Sequence, residues 1–114
     1  MKTAAEWRRW LTRNHAKRHD VWLVSYKKGA SKSLGYETAL DEATAHGWVD
    51  GMVRGATAEY YLQRWVLRRP RGHWTEANRE RARRLAEAGR MTPAGVAALP
   101  ADLRDEIRSH LEST

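Results

Sequence analysis

The chain has 114 residues, which is enough for one domain with a modest hydrophobic core. It contains no cysteine, which excludes disulfide bonds, cysteine nucleophiles and zinc fingers. Its 21 lysine and arginine residues against 14 aspartate and glutamate residues give a net charge of +7, which attracts anions or simply serves solubility. No apolar run approaches the ~20 residues of a membrane span, and the first residues lack an apolar signal core. We therefore expect a cytoplasmic protein without membrane insertion.

The first half of the chain predicts two helices and a strand between them. Thr3 and Glu6 form a capping box, so a helix should begin there with its tryptophans facing inward. Residues 21–26 are a short β-branched and aromatic run, which predicts a central strand. Residues 36–46 favour a second helix, and Gly47 is suited to end it.

The second half predicts a hairpin followed by three helices. Residues 48–54 and 59–67 favour two strands joined by a turn. Thr75 and Thr92 each stand where a helix can begin. The order is α, β, α, β, β, α, α, α. We therefore expect a single α+β domain over residues 1–114, with a short, mostly antiparallel sheet of about three strands covered by helices.

Several short landmarks stand in a specific order along this chain. They are Trp22, Gly47-Trp48, Asp50-Gly51, Arg68-Arg69-Pro70, Trp74, Asn78-Arg79 and Gly89-Arg90-Met91 with Pro93 and Gly95. In these landmarks residues 5–99 resemble the YdeI/OmpD-associated family of bacteria. The resemblance implies that family's scaffold and a role in bacteriocin protection or envelope stress, without a stated chemistry.

The chain departs from the family's pattern at two places. Where such proteins usually have Leu-Cys-Phe-Gly-Trp at the end of the second helix, this chain has Thr44-Ala45-His46-Gly47-Trp48. Where they usually have Arg-Phe-Thr-Pro-Arg-Arg-Pro after the third strand, this chain has Arg64-Trp65-Val66-Leu67-Arg68-Arg69-Pro70. A hairpin can bring the two places together, and a histidine in place of phenylalanine costs stability unless its ring is satisfied. The changes are typical of a reshaped pocket, produced by divergence or by redesign.

His46 and Asp50 are the candidate catalytic residues. In a pocket, His46 could act as a general base or nucleophile on a small flat aromatic substrate near neutral pH. On the surface, it would instead bond a carbonyl at the end of its helix. Asp50 could orient the imidazole, as a carboxylate does in a catalytic triad, or accept backbone N–H bonds in the Asp-Gly turn. The sequence leaves both interpretations open.

The large aromatic side chains suggest a pocket for a small molecule, although they could equally fill the core. Tyr61 and Trp65 lie on one face of the third predicted strand, and the alternate residues lie on the other. Only one set can face the main core of a two-layer domain, which favours a ligand-binding role for some of them. The candidate ligand-binding residues are Trp48, Tyr61, Trp65 and Trp74.

Two arginine clusters give an alternative function, nucleic-acid binding. Arginines can follow phosphates while nearby tryptophans stack on bases, or they can form a solvated helix face paired with glutamates. No recognisable nucleic-acid-binding motif accompanies them. The candidate residues are Arg68, Arg69, Arg71, Arg79 and Arg83.

Other kinds of site find little support. His15 and His19 are four residues apart, but no cysteine or glutamate stands in register with them, so we expect no metal site. The chain has no glycine-rich phosphate loop and no serine in a nucleophile elbow, so we expect no cofactor. The sequence thus predicts a small-ligand pocket protein, with catalysis by His46 as its sharper form. It does not fix the oligomeric state.

Overall fold

A computed structural model of the chain describes residues 3–14, 17–26, 35–55, 57–69 and 72–112. Its elements, in chain order, are α1 (Ala4–Asn14), β1 (Asp20–Tyr26), α2 (Tyr36–Ala45), β2 (Trp48–Arg54), β3 (Tyr60–Leu67), α3 (Glu76–Glu87), α4 (Pro93–Ala97) and α5 (Ala101–Glu112). The three strands form one antiparallel sheet, which confirms the predicted α+β class. None of the helices in these ranges is long and apolar enough to cross a membrane.

The sheet has β3 in its centre, so the prediction that residues 21–26 form a central strand is wrong. The strand order is β1-β3-β2, and β3 is antiparallel to both neighbours. In β1, Leu23 is buried, while the next residue, Val24, is 37% exposed. An edge strand that packs helices on one face only can therefore carry the same β-branched and aromatic residues as a central strand. Composition alone does not separate the two.

Helix boundaries follow the capping signals of the sequence. The backbone N–H of Glu6 donates to the hydroxyl of Thr3, and the hydroxyls of Thr75 and Thr92 each accept a backbone N–H three residues later. Gly47, just past α2, has a φ of +85°, a conformation that glycine adopts without strain. These local signals place the helices close to their predicted bounds.

The core beneath the sheet is built around four tryptophans. Trp7 stacks on Trp10 with ring centroids 5.6 Å apart, and it also lies 5.8 Å from Trp65. Trp10 meets Trp48 edge to face at 5.6 Å. Leucines and alanines of α1 and α2 fill the space around these rings. The aromatic content of the chain is therefore used largely for packing.

A second, smaller core lies between α3, α4 and α5. Its buried residues are Ala82, Ala86, Leu99, Leu103 and Ile107. Trp74, Met91 and Val96 pack against it from its margin. The molecule thus has two apolar cores, with α2 between them.

The buried carboxylate of Glu42 links α2 to Arg8 of α1 and to Arg90, which follows α3. The side chain of Glu42 is 3% exposed, and one of its oxygens lies 2.7 Å from Nη2 of Arg8 and 2.7 Å from Nη2 of Arg90. Burial alone would raise the pKa of Glu42. The hydrogen bonds and charges of the two arginines outweigh burial and hold this pKa below its ordinary value.

The start of α4 approaches the end of α2 very closely. The backbone N–H and the hydroxyl of Thr92 both donate to the carbonyl oxygen of Ala45, at 3.0 and 2.7 Å. A Cβ placed on Gly95 would lie 2.1 Å from the same oxygen. Glycine is needed at this position because no side chain fits between the two helices.

Candidate functional site

Trp48 and Trp65 lie in the core and line neither of the two pockets described below. Both rings are 0% exposed, and Trp65 also stacks on Tyr36 at 6.2 Å. Their indole N–H groups have no hydrogen-bond partner among the described residues. Tyr61 is half-buried in β3, opposite Ser25 of β1. Trp48 and Trp65 therefore pack in the core, and the predicted ligand-binding role of Trp48, Tyr61 and Trp65 stays a prediction.

His46 caps the C-terminal end of α2 and is 5% exposed. Its Nδ1 lies 2.8 Å from the carbonyl oxygen of Glu42, so this nitrogen carries the proton and donates it. Its Nε2 lies 3.3 Å from the hydroxyl oxygen of Thr12. Both ring nitrogens thus have protein neighbours, as expected for a helix cap. The predicted catalytic role of His46 stays a prediction.

Asp50 is hydrogen-bonded to a tyrosine on α2. The hydroxyl of Tyr36 donates to Oδ2 of Asp50 at 3.1 Å. Burial, followed by the negative charge and hydrogen bond of Asp50, raises the pKa of Tyr36 to about 12. The structure therefore pairs Asp50 with Tyr36, whereas the two neighbours of the His46 ring are Glu42 and Thr12.

The α3 arginines of the nucleic-acid hypothesis are paired with carboxylates. Arg79 Nη2 lies 2.7 Å from Asp102, and Arg83 Nε lies 2.7 Å from Glu106. Arg83 also pairs with Glu80 on its own helix. Arg69 is exposed just after β3, and Arg71 lies outside the described residues. The α3 cluster therefore has little positive charge left to attract phosphates.

Arg68 differs from these arginines in its surroundings. It follows β3, and its backbone N–H donates to the carbonyl oxygen of Gly47 at 3.0 Å. Its guanidinium carbon lies 3.6 Å from the ring centroid of Trp74, a close cation–π contact. Its Nε and Nη2 are shielded from solvent and have no hydrogen-bond partner in the part of the chain that the structure describes. This half-buried cation thus presents one unpaired edge.

Burial also changes the acidity of this side chain. It lowers the pKa of Arg68 to about 10, although the negative charge of Asp50 acts in the opposite direction. A group with this pKa is still protonated at neutral pH. Arg68 therefore carries a full positive charge in a place that disfavours charge.

The unpaired edge of Arg68 is the edge that other arginines of this protein use to bind carboxylates. Nε and Nη2 of Arg8 donate to the two oxygens of Glu42 at 3.1 and 2.7 Å. Nε and Nη2 of Arg64 donate to Oδ2 of Asp20 at 3.2 and 2.8 Å. At Arg68 the donors have the same geometry, and none of the described residues places an acceptor within hydrogen-bond distance of them.

Arg68 lies between two pockets. The first, which we call the basic pocket, has a volume of about 670 Å³ and opens on the sheet face away from the tryptophan core. Its lining consists of His19, Val49, Gly51, Arg64, Val66, Leu67, Arg68, Arg69, Gly72 and His73. Several of these side chains are basic, and none of the described lining residues is acidic.

The second pocket, which we call the apolar pocket, lies between the end of β3 and the turn from α4 to α5. Its volume is about 600 Å³. Its lining consists of His46, Gly47, Leu67, Arg68, Arg69, Gly72, Trp74, Ala94, Ala97, Ala98, Leu99, Pro100, Ala101 and Arg104. Here too the described lining contains no carboxylate. The two pockets share Leu67, Arg68, Arg69 and Gly72.

Sequence reasoning found part of this site and missed the rest. It singled out Arg68, Arg69, His46 and Trp74, but it divided them among three separate hypotheses. It did not find Arg64 or the alanines of α4, because only the fold brings them together. The stretches around His46 and Arg68, which were expected from the sequence to lie together, do meet, since the backbone N–H of Arg68 donates to the carbonyl oxygen of Gly47.

Metal binding has no support in the described ranges. They contain no group of three or more His, Cys, Asp or Glu side chains that could hold a metal ion. His19 is exposed at the mouth of the basic pocket, and His15 lies outside the described residues.

Comparison with known proteins gives the family of the chain. No curated protein and no solved structure matches it. Residues 1–98, which include β1 to β3, α4 and most of the residues that line the two pockets, match a family described as a domain of unknown function. The chain belongs to this family, DUF8412.

Proposed function

We propose that the protein binds a small anionic ligand at Arg68, between the basic pocket and the apolar pocket. One observation carries the proposal: a buried guanidinium has its Nε–Nη2 edge unpaired. Each buried polar group without a partner costs about 1–3 kcal/mol, and more when it is charged. A carboxylate or phosphate would supply both missing acceptors in the bidentate geometry that suits arginine.

The surroundings of Arg68 support an anion as the ligand. Arg69 and His73 add positive charge or hydrogen-bond donors, and Arg64 is already partly neutralised by Asp20. Because solvent does not reach Nε and Nη2 in the unliganded protein, a ligand reaches them only after a small side-chain movement. Pairing the buried charge would offset the free energy of that movement.

The proposal concerns binding and assigns no reaction. Both nitrogens of His46 already face protein atoms, so nothing in its contacts calls for a substrate. Nucleic-acid binding is less well supported, because Arg79 and Arg83 are paired with carboxylates. A relation to the YdeI/OmpD-associated family, and a role in bacteriocin protection, remain hypotheses compatible with a small-ligand pocket.

The proposal can be tested by calorimetric titration with sodium acetate and with sodium phosphate at constant ionic strength. The wild-type protein should bind with a stoichiometry of one. Arg68→Met should weaken the binding at least about tenfold, because it removes two charge-assisted hydrogen bonds. Arg68→Lys should also bind more weakly than wild type, because it keeps the charge but lacks the planar fork.

The matched control is Arg108→Met, since Arg108 is exposed on α5 and lines neither pocket. Both methionine variants lose one positive charge. A general attraction of anions to the basic surface would weaken equally in the two. Equal binding by Arg68→Met and Arg108→Met would therefore disprove the site.

A further inference from the structure

We infer that the anion is an organic carboxylate with an apolar body, whose carboxylate pairs with Arg68 and whose body lies in the apolar pocket. The inference rests on the proposed anion site and names the chemical class of its ligand. It goes beyond that site because the apolar pocket has no part in binding an inorganic anion.

The apolar pocket has the composition of a small-molecule site. Leu67, Leu99 and Pro100 line it together with the side chain of Trp74 and several alanines of α4 and α5. Small-molecule sites in proteins are typically concave, mostly apolar and of several hundred Å³, with few polar groups that fix orientation. A pocket of about 600 Å³ is far larger than a phosphate or an acetate ion needs.

The position of the positive charges also favours such a ligand. Arg68 and Arg69 stand where the apolar pocket meets the basic pocket, so the positive charge lies at one end of an apolar space. Arg104 adds a further cation to the lining, and no described lining residue is acidic, although the charge of nearby Asp50 acts on Arg68. This arrangement complements a molecule with one charged end and an apolar body.

The orientation of the Arg68 guanidinium favours a planar anionic group. Its stacking on Trp74, at 3.6 Å from the ring centroid, limits the rotation of the guanidinium plane. A carboxylate is planar and can lie in the plane of Nε and Nη2. The same contact brings the apolar surface of Trp74 next to the charged group, so the two ends of the ligand are recognised by neighbouring residues.

The test is a series of carboxylates of increasing length, from acetate through butyrate to octanoate, titrated at constant ionic strength with sodium phosphate as reference. Each methylene buried in the pocket should increase affinity, by up to about fourfold. The increase should stop when the pocket is full. Concentrations stay below the micelle range, and the positions of the ligands are checked from amide chemical-shift changes at Leu99 and Trp74.

A variant that narrows the apolar pocket distinguishes binding of the carboxylate at Arg68 from binding of the apolar body in the pocket. Ala97 is exposed at the rim of the apolar pocket, and Ala97→Phe places a phenyl ring there without changing Arg68. The control is Ala77→Phe, an equally exposed alanine on α3 that lines neither pocket. Ala97→Phe should abolish the length dependence and leave acetate binding intact, whereas Ala77→Phe should behave like wild type.

Each outcome decides between the two claims. Rising affinity along the series in the wild type, with a flat series in Ala97→Phe, supports the inference. Equal affinities for phosphate, acetate and octanoate, all dependent on Arg68, overturn the inference and leave the anion site standing. No binding of any of these anions overturns both.

Discussion

Replacing Arg68 by methionine should stabilise the ligand-free protein. The fall in the pKa of Arg68 from 12.5 to about 10 means that folding penalises the charged form of this side chain. The penalty is at most roughly 3 kcal/mol. The group is partly exposed, so solvent screening reduces this penalty to about 2 kcal/mol. Loss of the cation–π contact with Trp74 destabilises the variant by about 1 kcal/mol. Methionine keeps the apolar stem packed. We therefore expect Arg68→Met to raise the free energy of unfolding by about 1 kcal/mol.

The assay is urea unfolding at neutral pH in a buffer low in small anions, followed by circular dichroism so that the environment of Trp74 does not affect the signal. A gain of 1 kcal/mol would raise the midpoint of urea unfolding by roughly 0.5 M, for a slope of about 2 kcal/mol per M. Arg108→Met is again the control for the loss of one charge. If Arg68→Met is less stable than Arg108→Met, then Arg68 stabilises the protein without added ligand. The unpaired Nε and Nη2 of Arg68 would then carry no net penalty.

Two further predictions concern the fold. Gly95→Ala should destabilise the protein by about 3 kcal/mol, because its Cβ would lie 2.1 Å from the carbonyl oxygen of Ala45. Gly51→Ala, whose Cβ would come no closer than 3.6 Å to its neighbours, should stay within about 1 kcal/mol of wild type in the same urea assay. Tyr36→Phe should make stability less dependent on pH above 10. Burial and Asp50 raise the folded-state pKa of Tyr36 from 10.0 to about 12. The contribution of the Tyr36 hydroxyl to the free energy of unfolding is therefore fully present below pH 10 and is lost as the pH rises through about 12. Parallel curves of Tm against pH for Tyr36→Phe and wild type would contradict this.

The secondary structure could be predicted because its signals are local. Capping residues such as Thr75 and the turn glycine Gly47 act within one or two helical turns, so a short stretch of sequence contains them entirely. Strand order could not be obtained in this way. The run of residues 21–26 has the composition of a central strand, yet its position at the edge depends on which strand pairs with β3.

The candidate site was harder to predict, for a physical reason. Whether Trp65 is a pocket wall or a core residue depends on which face of β3 the helices cover, and alternation alone gives both answers. Arg68 stands out because Nε and Nη2 have no acceptor among the described residues, and the sequence does not indicate which acceptors the fold brings near a side chain. Only the three-dimensional contacts distinguish Arg68 from Arg79 and Arg83.

The presence of two cores has a consequence for the lifetime of the folded chain. The three C-terminal helices are attached to α2 partly through more exposed ion pairs, such as Arg84 with Asp41, which salt screens more than it screens apolar packing. They should therefore open as a unit at a lower free energy than the sheet, and amide hydrogen exchange would report that opening. The apolar pocket has one wall from β3 and another from α4 and α5. A molecule bound in this pocket would contact both β3 and the C-terminal helices. A higher concentration of it would therefore make the separation of these helices from the sheet rarer, and cleavage by a protease slower.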